Sequence, residues 1–60
     1  MTLTIFDSFD EEIGIVDDID TIPEWDGLGR TPRQIADAND GYIIGETGPA
    51  VYDAQERFDD

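Results

Sequence analysis

Carboxylates are the only abundant chemically active side chains in this sequence. Sixteen of the sixty residues are Asp or Glu and three are Arg; Lys, His and Cys are absent, and the formal net charge is −13. The usual general bases, thiolates and Schiff-base amines are therefore missing. Ser8, the only serine, has no imidazole or amine to activate it. Paired carboxylates can share acid and base roles, but a domain this small rarely encloses a substrate pocket. We expect a protein that is not an enzyme.

Calcium is the ligand that an Asp-rich chain suggests first, since hard cations prefer oxygen ligands. The best stretch begins at Asp37, but Gly41 then falls at the fifth loop position and Gly48 at the twelfth. An EF-hand needs Gly at the sixth position and Glu at the twelfth. The acidic runs near residues 10–12 and 17–20 are more typical of a solvated face than of a cation site. We expect no metal and no cofactor.

The basic residues are too few to bind nucleic acid. Affinity for DNA comes largely from counterions released by Lys and Arg, and only Arg30, Arg33 and Arg57 are present. We expect no direct contact with nucleic acid, and we expect Arg30 and Arg33 to pair locally with neighbouring carboxylates. The negative charge itself is then the best candidate for a functional feature. The acids between positions 7 and 26, with no base among them, are the predicted partner-binding residues: Asp7, Asp10, Glu11, Glu12, Asp17, Asp18, Asp20, Glu24 and Asp26.

The elements that position these acids are short. We predict one acidic domain over residues 1–60, with a 38% hydrophobic fraction that favours folding over disorder. Residues 2–6 alternate and predict a strand with Leu3 and Ile5 on one face. Residues 12–17 predict a returning strand with Ile13 and Ile15 on one face. Ser8 and Glu11 form a capping-box pattern that supports a helix instead, but Gly14 and its β-branched neighbours favour the hairpin.

The second half of the chain contains the helix and another hairpin. We expect a helical turn at residues 18–22 and then an irregular connector, from which Trp25 and Leu28 fold back onto the core; Trp25 as an exposed interface anchor is the alternative. Thr31 and Pro32 predict the start of a helix through residue 39, with Ile35 and Ala38 facing the core. Residues 41–45 and 50–53 predict two strands joined by a turn at 46–49, and residues 54–60 a short helix or a fraying tail.

The predicted fold class is therefore α+β: a small antiparallel sheet of about four strands in two hairpins, packed with one short helix in a ββαββ-like order. The N-terminus lacks the basic region and long apolar run of a signal peptide. No stretch has the roughly 20 apolar residues of a membrane span. We expect an intracellular protein that is monomeric or dimeric and does not bind membranes.

In size and acidity the chain resembles small acidic proteins of phages and mobile elements that mimic DNA, and among them anti-CRISPR proteins that inhibit type I (Cascade) systems. A duplex 25–30 Å long carries about sixteen phosphate charges, and this chain has sixteen carboxylates. The resemblance implies that acids such as Asp10, Glu11 and Glu12 occupy the basic surface of a CRISPR effector that reads the PAM or grips target DNA. It implies a cytoplasmic location in the infected host.

Two alternatives explain the same charge. Eleven acids are Asp and five are Glu, and Lys is absent, a bias that is also typical of halophilic proteins whose carboxylates hold water in strong brine. In that case the chain is a small interaction or accessory domain. The other alternative is an acidic, antitoxin-like subunit that neutralises a basic partner other than a DNA-binding enzyme.

Overall fold

Four short strands form one antiparallel sheet, and one helix covers one of its faces. The computed structural model describes residues 2–46 and 50–55. Its elements are β1 (Leu3–Phe6), β2 (Glu12–Val16), a 3₁₀ turn (Glu24–Asp26), α1 (Pro32–Ala38), β3 (Tyr42–Ile44) and β4 (Ala50–Asp53). The strand order is β2-β1-β3-β4, and every neighbouring pair is antiparallel. The predicted α+β class and ββαββ order are confirmed.

Alternation along the central strands divides the sheet into a helix face and an outer face. Leu3 and Ile5 of β1 and Ile43 of β3 are buried together with Ile35 and Ala36 of α1. Since successive side chains of a strand point to opposite faces, the residues between them lie on the outer face. The prediction that Leu3 and Ile5 share the core face is confirmed, and the helix covers this face only.

The predicted β1–β2 hairpin is confirmed, but the residues of β2 that face the core differ from the prediction. Val16 pairs with Leu3 and is buried, whereas Ile15 pairs with Thr4 on the outer face and is 52% exposed. The register shifts at a bulge between Ile5 and Phe6, and Ile13 packs against the core. Placing Ile13 and Ile15 on one face was therefore wrong, because the bulge breaks the two-residue period on which that prediction rested.

The helix has seven residues, about two turns, and a capping box fixes where it begins. The Thr31 hydroxyl accepts a hydrogen bond from the Gln34 N–H, and the Gln34 side chain accepts one from the Thr31 N–H, which completes a capping box. Pro32, Ile35 and Ala36 are buried. Ala38, the last residue of α1, is exposed, contrary to prediction, because the buried stripe runs through Pro32, Ile35 and Ala36 and Ala38 lies roughly 110° around the helix from its centre.

The connector between the hairpin and the helix does not fill the core. Trp25 is 45% exposed and Leu28 is 72% exposed, so the prediction that both fold back as core plugs was wrong. Residues 18–22 contain bends instead of the predicted helical turn, and the only 3₁₀ turn of the described residues lies further on, at Glu24–Asp26. The predicted β4 bounds are confirmed; most of the predicted 46–49 turn and the predicted C-terminal helix or tail fall outside the described residues.

Candidate functional site: an acidic surface at one end of the sheet

A row of four side chains crosses the outer face at one end of the sheet. Phe6 pairs with Glu12 on one side and with Tyr42 on the other, and Tyr42 pairs with Asp53. The Phe6 and Tyr42 rings stack with centroids 5.1 Å apart and planes 13° from parallel. The antiparallel topology thus places a carboxylate on each side of an aromatic pair, although these residues come from three separate parts of the sequence.

The turn that joins β1 to β2 is organised by Asp7. Its Oδ1 accepts hydrogen bonds from the N–H groups of Phe9 (2.8 Å) and Glu11 (3.0 Å). The Asp7 N–H donates to the Glu11 carbonyl at 2.9 Å. These bonds close the turn and hold Glu11 and Glu12 at the start of β2. Asp7 is thus a positioning residue for the acids that follow it.

Asp10 ties this turn to the aromatic pair. Its φ of 66° is in the left-handed region, which Asp adopts more readily than most residues. In this conformation its Oδ1 accepts a hydrogen bond of 2.7 Å from the Tyr42 hydroxyl. That bond raises the pKa of Tyr42 above its ordinary 10.0, assisted by burial and by the negative charges of Asp10, Asp7 and Asp53. The hydrogen bond to Asp10 and the pairing of Tyr42 with Asp53 thus place carboxylates of the β1–β2 turn and of β4 beside Tyr42.

Asp40 belongs to the same end of the sheet. It precedes Gly41, whose backbone passes so close to β1 that an added Cβ would lie 1.8 Å from the Phe6 carbonyl oxygen and 2.9 Å from the Asp7 Cα. The Asp40 carbonyl accepts a hydrogen bond from the Gln55 side chain just beyond β4. We call these acids at one end of the sheet the turn surface: Asp7, Asp10, Glu11, Glu12, Asp40 and Asp53.

Sequence reasoning missed Asp40 and Asp53. Both lie outside residues 7–26, the segment that we predicted to bind a partner because acidic residues are most frequent there. The strand register brings them beside that run, because the end of β1 and the starts of β2 and β3 meet the end of β4. The one usable signal was the position of Asp53 at the end of a predicted strand.

The remaining predicted acids lie elsewhere. Asp17, Asp18 and Asp20 follow the far end of β2, about 13 Å along the strand from Glu12 at 3.3 Å per residue. Asp18 caps a local bend by accepting bonds from the Asp20 N–H and the Thr21 hydroxyl, both at 3.3 Å. Asp20 lies 3.8 Å from the Arg33 Nε. The nine predicted acids therefore do not form one continuous surface.

Asp26 is a structural carboxylate. Its side chain is 2% exposed and lies 2.9 Å from the Arg30 Nη2. It also accepts hydrogen bonds from the N–H groups of Arg30 and Leu28. The Arg30 side chain and N–H together hold the pKa of Asp26 below its ordinary 3.8. This carboxylate fixes the connector before α1 and is not available to a partner. The predicted local pairing of Arg30 and Arg33 with carboxylates is confirmed.

Two further features define what the site can do chemically. Among residues 2–46 and 50–55, no group of three or more acids is arranged to hold a metal ion. The salt bridges of Arg30 and Arg33 are with Asp26 and Asp20, which lie outside the turn surface. Within the turn surface, the exposed side chains of Glu11 and Glu12 present negative charge to solvent.

The chain matches no protein-family model, and no curated protein and no solved structure is significantly similar to it. Across the described ranges, no helix is long and apolar enough to cross a membrane.

Proposed function

We propose that this protein is an inhibitor of the anti-CRISPR type. Its turn surface mimics DNA and blocks the DNA-binding site of a host defence nuclease complex, a CRISPR effector. The observation that carries the proposal is the convergence of acids from the β1–β2 turn and from β4 around the Phe6–Tyr42 pair. A basic groove that grips DNA is complementary to such a surface in charge. Complementary potentials accelerate encounter and determine which partners can bind.

The dimensions of the molecule suit this role. Its principal axes extend 34, 26 and 20 Å, and a duplex 34 Å long carries about 20 phosphate charges, against sixteen carboxylates in the whole chain. The turn surface lies at one end of the sheet and carries part of this charge.

The turn surface is also held in place before a partner arrives. The Asp7 bonds close the turn, and the Tyr42 hydroxyl restrains Asp10. Glu11 and Glu12 are exposed and have no side-chain hydrogen bond or ion pair with any described residue. Binding would thus spend little free energy on ordering the turn, and preorganisation of this kind raises affinity. The proposal assigns the protein no catalytic step, a cytoplasmic location in an infected host and a basic DNA-binding protein as its partner.

The direct test is competition with DNA for a type I Cascade complex. Labelled target duplex bound to the complex should be displaced by the protein at low salt and much less at higher salt, because screening weakens contacts between exposed charges. The variant Glu11→Gln/Glu12→Gln should displace the duplex at least roughly tenfold less well, equivalent to about 1.4 kcal/mol. Neither side chain supports the fold, so this loss would report the interface.

The matched control is Asp20→Asn/Glu46→Gln, which removes the same charge from two exposed side chains that follow β2 and β3 beyond the other end of the sheet. Equal losses in the two double variants would show that bulk charge, and not the turn surface, governs displacement. If no DNA-binding effector is displaced or captured at low salt, the inhibitor proposal is wrong. The same absence together with unfolding below molar salt would favour the halophile alternative.

A further inference from the structure

Trp25 is an exposed aromatic side chain whose position is fixed. Its Nε1 donates a hydrogen bond of 2.9 Å to the carbonyl of Ile15, on the edge strand β2. Its six-membered ring lies directly over Gly14, where an added Cβ would be 2.5 Å from Cζ2 and 2.6 Å from Cη2. The ring is still 45% exposed. A large, rigid and partly exposed Trp is the residue type most enriched in interface hot spots.

A groove of about 360 Å³ lies beside this ring. Its apolar wall contains Ile15, Ile22 and Pro23, and its acidic residues are Asp17 and Glu24. Ile15 and Ile22 are each about half exposed. Both acids are exposed, and neither side chain has a hydrogen bond or ion pair with a described residue. The groove therefore combines an aromatic ring, an aliphatic wall and two available carboxylates, and none of the described residues that line it is basic.

A neighbouring groove shows what this one lacks. It measures about 450 Å³ and is lined by Asp17 and Asp18, but its lining also includes Arg33. The charge of Arg33 cancels part of the attraction of these two acids for an incoming cation. Among the described residues, the Trp25 groove has no basic side chain that would cancel its two carboxylates in this way.

We propose that the Trp25 groove binds an arginine side chain of a partner protein. The planar guanidinium stacks on the indole, as arginine does on aromatic faces. Its aliphatic stem packs along Ile22 and Pro23, and its N–H groups donate to Asp17 and Glu24. Arginine is favoured over lysine because a planar, weakly hydrated cation satisfies stacking and carboxylate pairing together, whereas an ammonium is a strongly hydrated point charge. This site is separate from the turn surface and does not depend on competition with DNA.

The test uses capped single amino acids and the one indole of the chain. Trp25 is the only Trp, so the indole N–H cross-peak in an ¹⁵N-correlated NMR spectrum reports this site alone. N-acetyl-arginine amide should shift that peak with saturation in the millimolar range. N-acetyl-lysine amide, which has the same charge, should bind several-fold more weakly.

Two double variants make the assignment specific. Asp17→Asn/Glu24→Gln should weaken binding of the arginine amide roughly threefold to tenfold, the range expected for losing exposed charge contacts. Glu11→Gln/Glu12→Gln removes the same charge from the turn surface and should leave this binding unchanged. Equal shifts for the two amides, equal weakening by the two variants, or no saturable shift would each overturn the proposal. Failure here leaves displacement of DNA by the turn surface intact, so the two proposals fail separately.

Discussion

At the scale of single residues, the carboxylates divide by what surrounds them and not by where they fall in the sequence. Asp26 is buried against Arg30, Asp7 closes a turn, and Asp10 holds Tyr42. Glu11, Glu12, Asp17 and Glu24 are exposed and serve no such local role. In the functional proposals these four exposed acids contact the partner, whereas Asp7 and Asp10 hold the β1–β2 turn in place.

Replacing Asp26 by Asn should lower the stability of the fold. The folded-state pKa of Asp26 lies below the ordinary 3.8, so its stabilising charge is fully present above about pH 4 and is lost as pH falls through the folded pKa. The stability difference between wild type and Asp26→Asn should thus be largest near neutral pH and shrink on acidification below pH 4. Urea midpoints measured across this range check the prediction, and a difference that grows with acid would contradict it.

At the scale of elements, the close approach of the α1–β3 turn to β1 builds the turn surface. Gly41 N–H donates to the Ala36 carbonyl at 2.8 Å, and the Gly41 carbonyl accepts from the Ala54 N–H at 2.9 Å. Gly41 therefore connects the helix end, β1 and the end of β4. The absence of a side chain at this position allows Asp40 to lie next to the β1–β2 turn.

Gly41→Ala should destabilise the protein by about 3 kcal/mol or more, the range of a substitution that forces backbone atoms apart. The added Cβ would lie 1.8 Å from a backbone oxygen that cannot rotate away. Gly45→Ala is the matched control, because its Cβ would meet only the Leu3 and Val51 side chains at 3.6 and 3.8 Å. Thermal unfolding followed by circular dichroism measures both variants; equal melting temperatures would show that the Gly41 contact is not required.

At the scale of the whole molecule, a net charge of −13 acts on a small core. The buried apolar side chains of the described residues are few: Leu3, Ile5, Val16, Ile35, Ala36, Ile43 and Ala54. Self-repulsion among carboxylates opposes compaction. The fold offsets it by dividing the charge between two ends of the sheet and by pairing Arg30 and Arg33 with nearby acids.

This distribution predicts a protein that is folded without strong brine. In about 0.05 M salt the Debye length is longer than the roughly 10 Å found at 0.1 M, so repulsion between neighbouring carboxylates is only weakly screened. We expect cooperative urea unfolding under these conditions and a moderate rise in midpoint at about 1 M salt. Trp25 fluorescence measures both. A chain that folds only in molar salt would indicate that its charge serves solvation.

Most of the fold could be predicted from local patterns. Alternation indicated β1, the Thr31–Pro32 pair indicated the start of α1, and turn residues separated the last two strands. Prediction failed at two positions. The β2 bulge turned Ile13 toward the core and left Ile15 on the outer face, and the buried stripe of α1 follows Pro32, Ile35 and Ala36, which leaves Ala38 exposed. We predicted Trp25 in the core because large aromatic side chains usually lie there. The ring packs instead at the surface over Gly14, a contact that no periodic pattern in the sequence indicates.

The amino-acid sequence by itself determined the chemistry available to this protein. The sequence contains no His, Cys or Lys, and nine of its sixteen carboxylates lie between residues 7 and 26. These properties are fixed by the order of the residues and do not depend on the fold. Only the tertiary structure decided which carboxylates act together. Antiparallel pairing brought Asp40 and Asp53 to the β1–β2 turn, because strand register joins residues that are distant in sequence. The return of the connector onto β2 placed Trp25 over Gly14, with Asp17 lining the same groove.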